Sequence, residues 1–478
     1  MDNNVRQIPR DFMLGSGVSA FQYEGAWDED GKGPSLWDDM LHGGADFVVD
    51  GNNADVAADG YHRYQDDIRL ARDIGLDSFR LAISWPRILP TGYANNINRA
   101  GIAYYNNFID ELLKYNITPI VTIFHMDLPV KLQEYGSWTN PATVDFFLDY
   151  VKVLFDNFGD RVKMWITINE PLVYCMYTYT NLEFPPFVDV SGVGDYICMK
   201  NMLLAHARAY RLYDERYRER QRGKVGLVLY YTRYEPLTDS TEDVEAAEDC
   251  NGFMGGMYLN PIFSKSGDFP AATKLRVAAK SAEQGYPRSR LPTLSESEIS
   301  MIKGSADFVG LNLYSTVFVY RNSSVRTLYP VPSVRDDVDA GLAVDPMTAD
   351  VAYQFKSRPQ STYKLLMNIK EQYDPPVLIT ENGYANQGGL DDYDRIEYIN
   401  DYLNAVLDAK EAGCDVRGYH VWSFVDLFEW KYGYLRRFGL YEVDFSSPNR
   451  TRTARKSANY FKDLTTTRTL FRKHTTLY

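Results

Sequence analysis

The sequence has few of the residues that build metal centres and disulfide frameworks. Its 478 residues include four cysteines and six histidines, and their spacing contains neither a C-x-x-C pair nor the H-E-x-x-H pattern of zinc enzymes. A structural zinc site and a dense disulfide framework are therefore not indicated. We predict that all four cysteines are buried free thiols: Cys175, Cys198, Cys250 and Cys414.

Long apolar runs and an excess of positive charge are also missing. No segment approaches the roughly 20 apolar residues of a membrane-spanning helix, and the N-terminus has no apolar signal core. The formal net charge of −13 argues against a nucleic-acid or anionic membrane surface. We expect a neutral small molecule as the partner, with no nucleic acid and no membrane. The sequence leaves two cellular locations open. The protein could be cytoplasmic, or it could be secreted with a signal that is absent from this chain.

Eight apolar, β-rich runs alternate along the chain with segments of helical spacing, the clearest of which is 391–412. The runs are 12–21, 78–85, 118–125, 162–170, 225–231, 307–314, 376–381 and 416–423. This alternation predicts a parallel sheet, and eight units favour a closed (β/α)8 TIM barrel with long βα loops over an open doubly wound sheet. Because such barrels can exceed about 400 residues, we predict a single domain over residues 1–478.

Two glutamates end predicted strands and are followed by turn residues. Glu170 precedes Pro171, and Glu381 lies two residues before Gly383. Because the active site of a barrel forms where its strands finish, the pair suits a general acid and a nucleophile. Taken alone, either glutamate could equally be a solvated strand end.

Other polar and aromatic side chains lie at or near the ends of the runs: Arg80, His125, Asn169, Asn312, Tyr314 and Trp422. The segments 184–196, 264–290 and 321–359 are predicted to be loops over the same rim.

Several separated motifs occur in order along the chain. They are F-Q-Y-E-G at 21–25, G-K-G-P-S-L-W at 31–37, R-L-A-I-S-W at 80–85, H-M-D-L-P at 125–129, F-G-D-R-V at 158–162, I-N-E-P at 168–171, T-E-N-G at 380–383 and W-S-F-V-D-L-F-E-W at 422–430. With them the chain resembles glycoside hydrolase family 1, the β-glucosidase family, over about residues 12–461. The resemblance implies a retaining β-glucosidase that needs no metal or organic cofactor, and it leaves a homodimer open.

The resemblance also implies a role for individual residues. Glu381 would be the nucleophile and Glu170 the acid and then the base, with carboxyl groups about 5–5.5 Å apart. Arg80 and Tyr314 would keep Glu381 charged, and Asn169 would bind the sugar 2-hydroxyl. The remaining sugar contacts would come from Gln22, His125, Asn312, Trp422, Glu429, Trp430 and Phe438. Since a charged Glu429 would repel a 6-phosphate, phosphorylated sugars are not expected.

The chain departs from the usual family pattern at three places. Met126 and Leu427 stand where the family usually has tryptophan and asparagine, and no tryptophan lies between Trp165 and Trp422. Candidates for the leaving-group site are therefore Tyr174, Tyr177, Phe184, Phe253 and Phe318. Candidates to accept an anionic leaving group are Arg321, Arg326 and Arg358, although solvated loop charges are the simpler interpretation.

Two alternative functions stay open at this point. The sequence W-D-E-D-G-K-G at 27–33 is similar to that of insect myrosinases, which suggests a thioglucosidase acting on sulfated thioglucosides (glucosinolates), although ordinary family members share it. A barrel that binds glycosides without catalysis is the second alternative, and the presence of both glutamates weighs against it.

Overall fold

Eight parallel strands close into a barrel in the computed structural model, which describes residues 5–44, 47–321, 329–343 and 358–472. The strands are β1 Met13–Gly17, β2 Ser78–Ala82, β3 Thr118–Phe124, β4 Met164–Asn169, β5 Lys224–Tyr230, β6 Phe308–Leu313, β7 Val377–Asn382 and β8 Val416–Val421. Each strand pairs with the next along the chain, and β8 pairs with β1. The predicted closed (β/α)8 barrel and all eight predicted strands are confirmed.

Helices follow the strands and cover the outside of the barrel. The α-helices are Ala20–Tyr23, Leu36–His42, Gly60–Asp73, Trp85–Ile88, Arg99–Lys114, Ala142–Phe158, Pro171–Tyr179, Gly194–Arg216, Arg218–Gln221, Thr241–Met254, Gly256–Phe263, Ala271–Glu283, Glu296–Ile302, Val334–Val338, Pro359–Gln372, Tyr393–Glu411 and Lys456–Thr467. Short strands outside the barrel are Val5–Gln7, Arg233–Pro236, Thr316–Arg321, Ala340–Ala343, Tyr441–Val443, Arg452–Ala454 and Thr469–Phe471. None of the described helices is both long enough and apolar enough to span a membrane.

The strands are buried on both faces, which explains their nearly continuous apolar sequence. All six residues of β7 are buried, including Thr380 and Glu381 near its end. Cross-strand register then sets which polar side chains become neighbours. Glu381 pairs with Asn312 on β6, and Arg80 on β2 pairs with Ile120 on β3. The polar ends of β2, β4, β6 and β7 therefore meet at one rim of the barrel.

Three of the sequence predictions need correction. The segment 264–290 is not a continuous loop, because it contains the helix Ala271–Glu283; its abundant glycine, proline and polar residues flank an alanine-rich helical stretch. The segment 184–196 ends in the helix that begins at Gly194. The described part of 321–359 holds the helix Val334–Val338 and the strand Ala340–Ala343.

Two of the four cysteines are not free. Cys175 and Cys198 form a disulfide with Cα atoms 5.7 Å apart, whereas Cys250 and Cys414 are buried free thiols, as predicted. The bond joins the helix that follows Glu170, Pro171–Tyr179, to the helix Gly194–Arg216. The prediction failed here because the contact depends on how two helices pack, which cysteine spacing along the sequence does not reveal.

Candidate active site

A cavity of about 400 Å³ opens at the rim where the barrel strands end. Its wall contains most of the side chains predicted to handle a sugar: Gln22, His125, Glu170, Tyr314, Glu381, Trp422, Glu429, Trp430 and Phe438. Arg80, Asn169 and Asn312 do not line the cavity and are almost fully buried. Their hydrogen bonds, described next, place them directly behind the two glutamates. The structure thus brings all twelve predicted site residues together.

Glu381 is held by one donor on each carboxyl oxygen. A guanidinium N–H of Arg80 contacts Oε1 as a buried ion pair, and the Tyr314 hydroxyl donates to Oε2 over 2.5 Å. Burial raises the pKa of Tyr314 well above its usual range, and the charge of Glu381 adds to this effect. Tyr314 therefore stays protonated and remains a donor. Glu381 thus has a cation on one oxygen and a hydroxyl donor on the other.

Glu170 has a different environment. Asn312 donates to its Oε1 over 2.6 Å, and no cation pairs with it among the described residues. Burial and the nearby charge of Glu381 together raise the pKa of Glu170 to about 8, against the opposing effects of Asn312 and Arg80. At neutral pH Glu170 is thus protonated, as a general acid must be before it donates. The two glutamates thus differ in their neighbours: Glu381 contacts a guanidinium and Glu170 an uncharged amide.

Asn169 connects the two glutamates through a short network. Its Oδ1 accepts from Arg80 Nη2 over 2.6 Å and from Asn312 Nδ2 over 3.2 Å, and its Nδ2 lies 3.3 Å from Nε2 of His125. Burial lowers the pKa of His125 well below its usual range, with the positive charge of Arg80 adding to it, so the imidazole is neutral. These bonds fix the Asn169 amide rigidly beside Glu170.

The backbone is unusual at three residues of the cavity wall. Met126, Glu170 and Trp430 have φ values of 71°, 47° and 49°, in the left-handed region that non-glycine residues rarely adopt. A close approach also restricts Gly383: a Cβ at this position would lie 2.2 Å from the carbonyl oxygen of Trp422. Only glycine fits there, which explains the T-E-N-G turn after Glu381.

One end of the cavity combines aromatic rings with an amide and a carboxyl group. Gln22 donates to Glu429 Oε2 over 3.1 Å, and the Trp430 ring stacks on Phe21 with centroids 5.9 Å apart. Burial, with a smaller contribution from the charge of Glu381, raises the pKa of Glu429 to about 8 against the opposing effects of Arg436 and Gln22. The repulsion of a 6-phosphate that the sequence predicts therefore depends on pH in this range.

The candidates for the leaving-group site are only partly supported. Tyr177 and Phe184 line the cavity, whereas Tyr174 and Phe253 are buried elsewhere in the core and Phe318 lies beneath Arg358. Of the two departures at single residues, Met126 lines the cavity, whereas Leu427 is buried and does not line it.

Neither Arg321 nor Arg358, the two predicted arginines that the structure describes, is part of the cavity wall. Arg321 pairs with Asp249 and donates to the carbonyls of Val338 and Asp339, so it serves the fold. Arg358 does not line the cavity, and Arg326 lies outside the described residues.

The cationic residues of the wall are instead Lys431 and Arg436, which follow the tryptophan of the last motif. Glu183, Tyr230 and Tyr432 also line the cavity and were not predicted. Proximity to Glu429 and Trp430 was the only sequence signal that could have identified Lys431 and Arg436.

Comparisons with known proteins agree with this geometry. The sequence model of Glycosyl hydrolase family 1 matches residues 4–470. Myrosinase 1 of Brevicoryne brassicae is 42% identical over 466 residues, which cover 96% of this chain and 99% of that protein. The solved structure of an aphid myrosinase has a TM-score of 0.92 at 42% identity and covers 96% of this chain and 99% of its own.

A rice β-glucosidase mutant in a covalent complex with Glc has a TM-score of 0.88 at 37% identity, with 96% of this chain and 98% of that chain covered. The resemblance inferred from the motifs is confirmed. The chain belongs to glycosyl hydrolase family 1 and is a retaining β-glycosidase.

Proposed function

We propose that this β-glucosidase family member hydrolyses a small-molecule β-glucoside with Glu381 as nucleophile and Glu170 as acid and base. The observation that carries the assignment is the contrast between the two carboxyl groups. Arg80 and Tyr314 each donate to one oxygen of Glu381, while the pKa of Glu170 is raised to about 8 in the same cavity. A double displacement requires a nucleophilic carboxylate and a protonated carboxyl group.

The reaction then follows in two steps. The Glu381 carboxylate attacks the anomeric carbon as Glu170 gives its proton to the leaving oxygen, which produces a glycosyl ester and a free alcohol. Glu170, now ionised, removes a proton from water as the water oxygen attacks the same carbon and releases Glu381. We expect the two carboxyl groups to be about 5–5.5 Å apart, since this separation permits the covalent intermediate.

The sugar-binding roles rest on the positions of the wall residues. The Asn169 amide, fixed by Arg80 and Asn312, is assigned to the 2-hydroxyl, whose hydrogen bond strengthens in the transition state. His125, whose Nδ1 has no hydrogen-bond partner among the described residues, can donate to a further hydroxyl. The other sugar contacts are assigned to Gln22, Glu429, Trp430, Phe438 and, as the platform for the ring, Trp422.

The test is the intact mass of the protein after incubation with 2-deoxy-2-fluoro-β-glucosyl fluoride. Wild type should gain one fluoroglucosyl group, and Glu381→Ala should gain none. The control is Glu183→Gln, which removes another carboxylate of the same cavity wall and should label like wild type. Labelling of Glu381→Ala would contradict the nucleophile assignment. Absence of labelling in a folded wild-type protein would favour the glycoside-binding barrel without catalysis.

A thioglucosidase is the second candidate, and one observation favours it. Lys431 and Arg436 place two cationic side chains on the cavity wall, where a sulfated leaving group would find a complementary charge. The test compares kcat/KM for a sulfated thioglucoside with that for a neutral aryl β-glucoside. A preference for the sulfated substrate that falls in an Arg436→Gln variant would support the thioglucosidase. Absence of glucose release from the sulfated substrate would exclude it.

The single domain and the homodimer remain predictions from the sequence.

A further inference from the structure

Thr380, the residue before the proposed nucleophile, has an irregular position in the barrel. On β7, Ile379 pairs with Leu311 of β6. Glu381, two positions further along β7, pairs with Asn312, the next residue of β6. Thr380 is therefore an extra residue in β7, and a β-bulge of this kind changes the direction of a side chain. The Thr380 hydroxyl donates to Oδ1 of Asn312 over 2.7 Å, and both side chains are almost fully buried.

The direction of the Asn312 amide follows from the donors and acceptors around it. Arg80 can only donate, so the Asn169 atom that it contacts is the oxygen Oδ1. This oxygen lies 3.2 Å from Asn312, which must therefore direct its amide nitrogen toward Asn169. The other end of the Asn312 amide is then the oxygen, and it accepts from the Thr380 hydroxyl. The amide of Asn312 is thus held from both sides.

The fixed amide determines which oxygen of Glu170 carries the acidic proton. The Asn312 nitrogen that contacts Asn169 also donates to Oε1 of Glu170 over 2.6 Å. In a neutral carboxyl group the carbonyl oxygen is the better acceptor, so Oε1 is the carbonyl oxygen and the proton lies on Oε2. We propose that Thr380 is a positioning residue, whose hydroxyl fixes Asn312 so that Glu170 holds its proton on Oε2. This role rests on the proposed function of Glu170 as acid and base.

Two substrates separate a positioning role from a purely structural one. The leaving group of phenyl β-glucoside needs a proton from Glu170, whereas that of 2,4-dinitrophenyl β-glucoside needs none. Thr380→Val removes the hydroxyl and keeps a β-branched side chain. We expect it to lower kcat/KM for the phenyl substrate about 3- to 10-fold, the loss expected for one hydrogen bond. The value for the dinitrophenyl substrate should not change, and Thr380→Ser should restore the phenyl value.

The pH profile provides a second measurement. Burial is the main cause of the raised pKa of Glu170, and the hydrogen bond from Asn312 opposes it. Because Thr380→Val loosens Asn312, the pKa of Glu170 should rise. The alkaline limb of kcat/KM for the phenyl substrate should therefore move to higher pH. The other ionisable groups around Glu170 are the same in wild type and in the variants: Arg80, Tyr177, Tyr230, Tyr314, Glu381 and Glu429.

The matched control is Thr167→Val. Thr167 is a fully buried threonine of β4, and its hydroxyl contacts His206 and the carbonyl of Gly226. Its loss should leave the ratio of the two kcat/KM values and the pH profile unchanged. Thr380→Ala is the second variant if Thr380→Val does not fold, and it should show the same selective loss.

Glu170→Gln distinguishes failure of this role from failure of the proposed function. If Glu170→Gln keeps the phenyl value, Glu170 is not the acid and the proposed function fails. If Glu170→Gln loses that value, three results overturn the positioning role alone. Thr380→Val could hydrolyse the phenyl substrate like wild type, it could lower both substrates equally, or Thr380→Ser could fail to restore the phenyl value.

Discussion

The hydroxyl group of Tyr314 donates a hydrogen bond of 2.5 Å to Oε2 of Glu381. With Arg80 on the other oxygen, this bond completes the donor set of the proposed nucleophile. The tyrosine lies at the end of β6 and the glutamate on β7, so neighbouring strands build the site through their own pairing. The strength of this contact can be measured.

We expect Tyr314→Phe to lower kcat for an aryl β-glucoside by about 10- to 100-fold, because a hydrogen bond to a charged group contributes about 1.5–3 kcal/mol. The far-UV circular dichroism spectrum should be unchanged. Tyr230→Phe is the control, since its ring also lines the cavity but its hydroxyl lies near Ser315 rather than Glu381. Equal rates for Tyr314→Phe and wild type would show that the bond does not assist the reaction.

The pH dependence should identify Glu170 as the acid. Since Glu170 must be protonated to donate and its pKa is about 8, kcat/KM should fall as the pH rises through about 8. Glu170→Gln should lose this alkaline limb with 2,4-dinitrophenyl β-glucoside, a substrate whose leaving group needs no proton. Because the pKa of Glu429 is also raised to about 8, Glu429→Gln is the necessary control. Persistence of the limb in Glu170→Gln, or its loss in Glu429→Gln, would assign it to another group.

Glu429 should lower the stability of the fold at neutral pH. Its pKa is raised from 4.5 to about 8 in the folded protein, so between these pH values the folded state binds more protons than the unfolded state. The free energy of unfolding therefore decreases as the pH rises through this range. Glu429→Gln removes the effect and should melt at a higher temperature than wild type at pH 7, with a smaller difference at pH 4.5. Thermal melts at both pH values check this, and an equal difference at the two would contradict it.

The disulfide should contribute strongly to stability because it closes a loop between residues 23 positions apart. The double variant Cys175→Ala/Cys198→Ala should lose about 3 kcal/mol of unfolding free energy, measured in guanidinium chloride. Wild type with reductant should approach the variant, and reductant should not affect the variant itself. Unchanged stability of the double variant would mean that helix packing alone holds this region.

The sequence was sufficient for the barrel and for the location of both glutamates at strand ends, because these depend on local patterns. Each barrel strand is a nearly continuous apolar run that alternates with a helical segment. Glu170 and Glu381 each lie at or next to the end of such a strand. The predicted runs still extended past the observed strands: β2 ends at Ala82, whereas the apolar run continues to residue 85. Ile83 and Trp85 after the strand are apolar and fully buried although they are not part of the sheet.

Features that depend on distant parts of the chain were not predictable in this way. The Cys175–Cys198 bond requires two helices to pack side by side, and the location of Arg321 beside Asp249 requires a strand and a helix outside the barrel to meet. The raised pKa of Glu429 depends on its burial in the folded protein, which cannot be read from the sequence.

The left-handed backbone at Met126, Glu170 and Trp430 has a consequence for how this protein can be improved. Non-glycine residues in this region cost about 1–3 kcal/mol each, so the cavity wall is a place where activity is retained at the expense of robustness. A thermostability screen that does not select for turnover should therefore accumulate glycine or asparagine at these three positions, and it would recover sturdier proteins that are poorer enzymes.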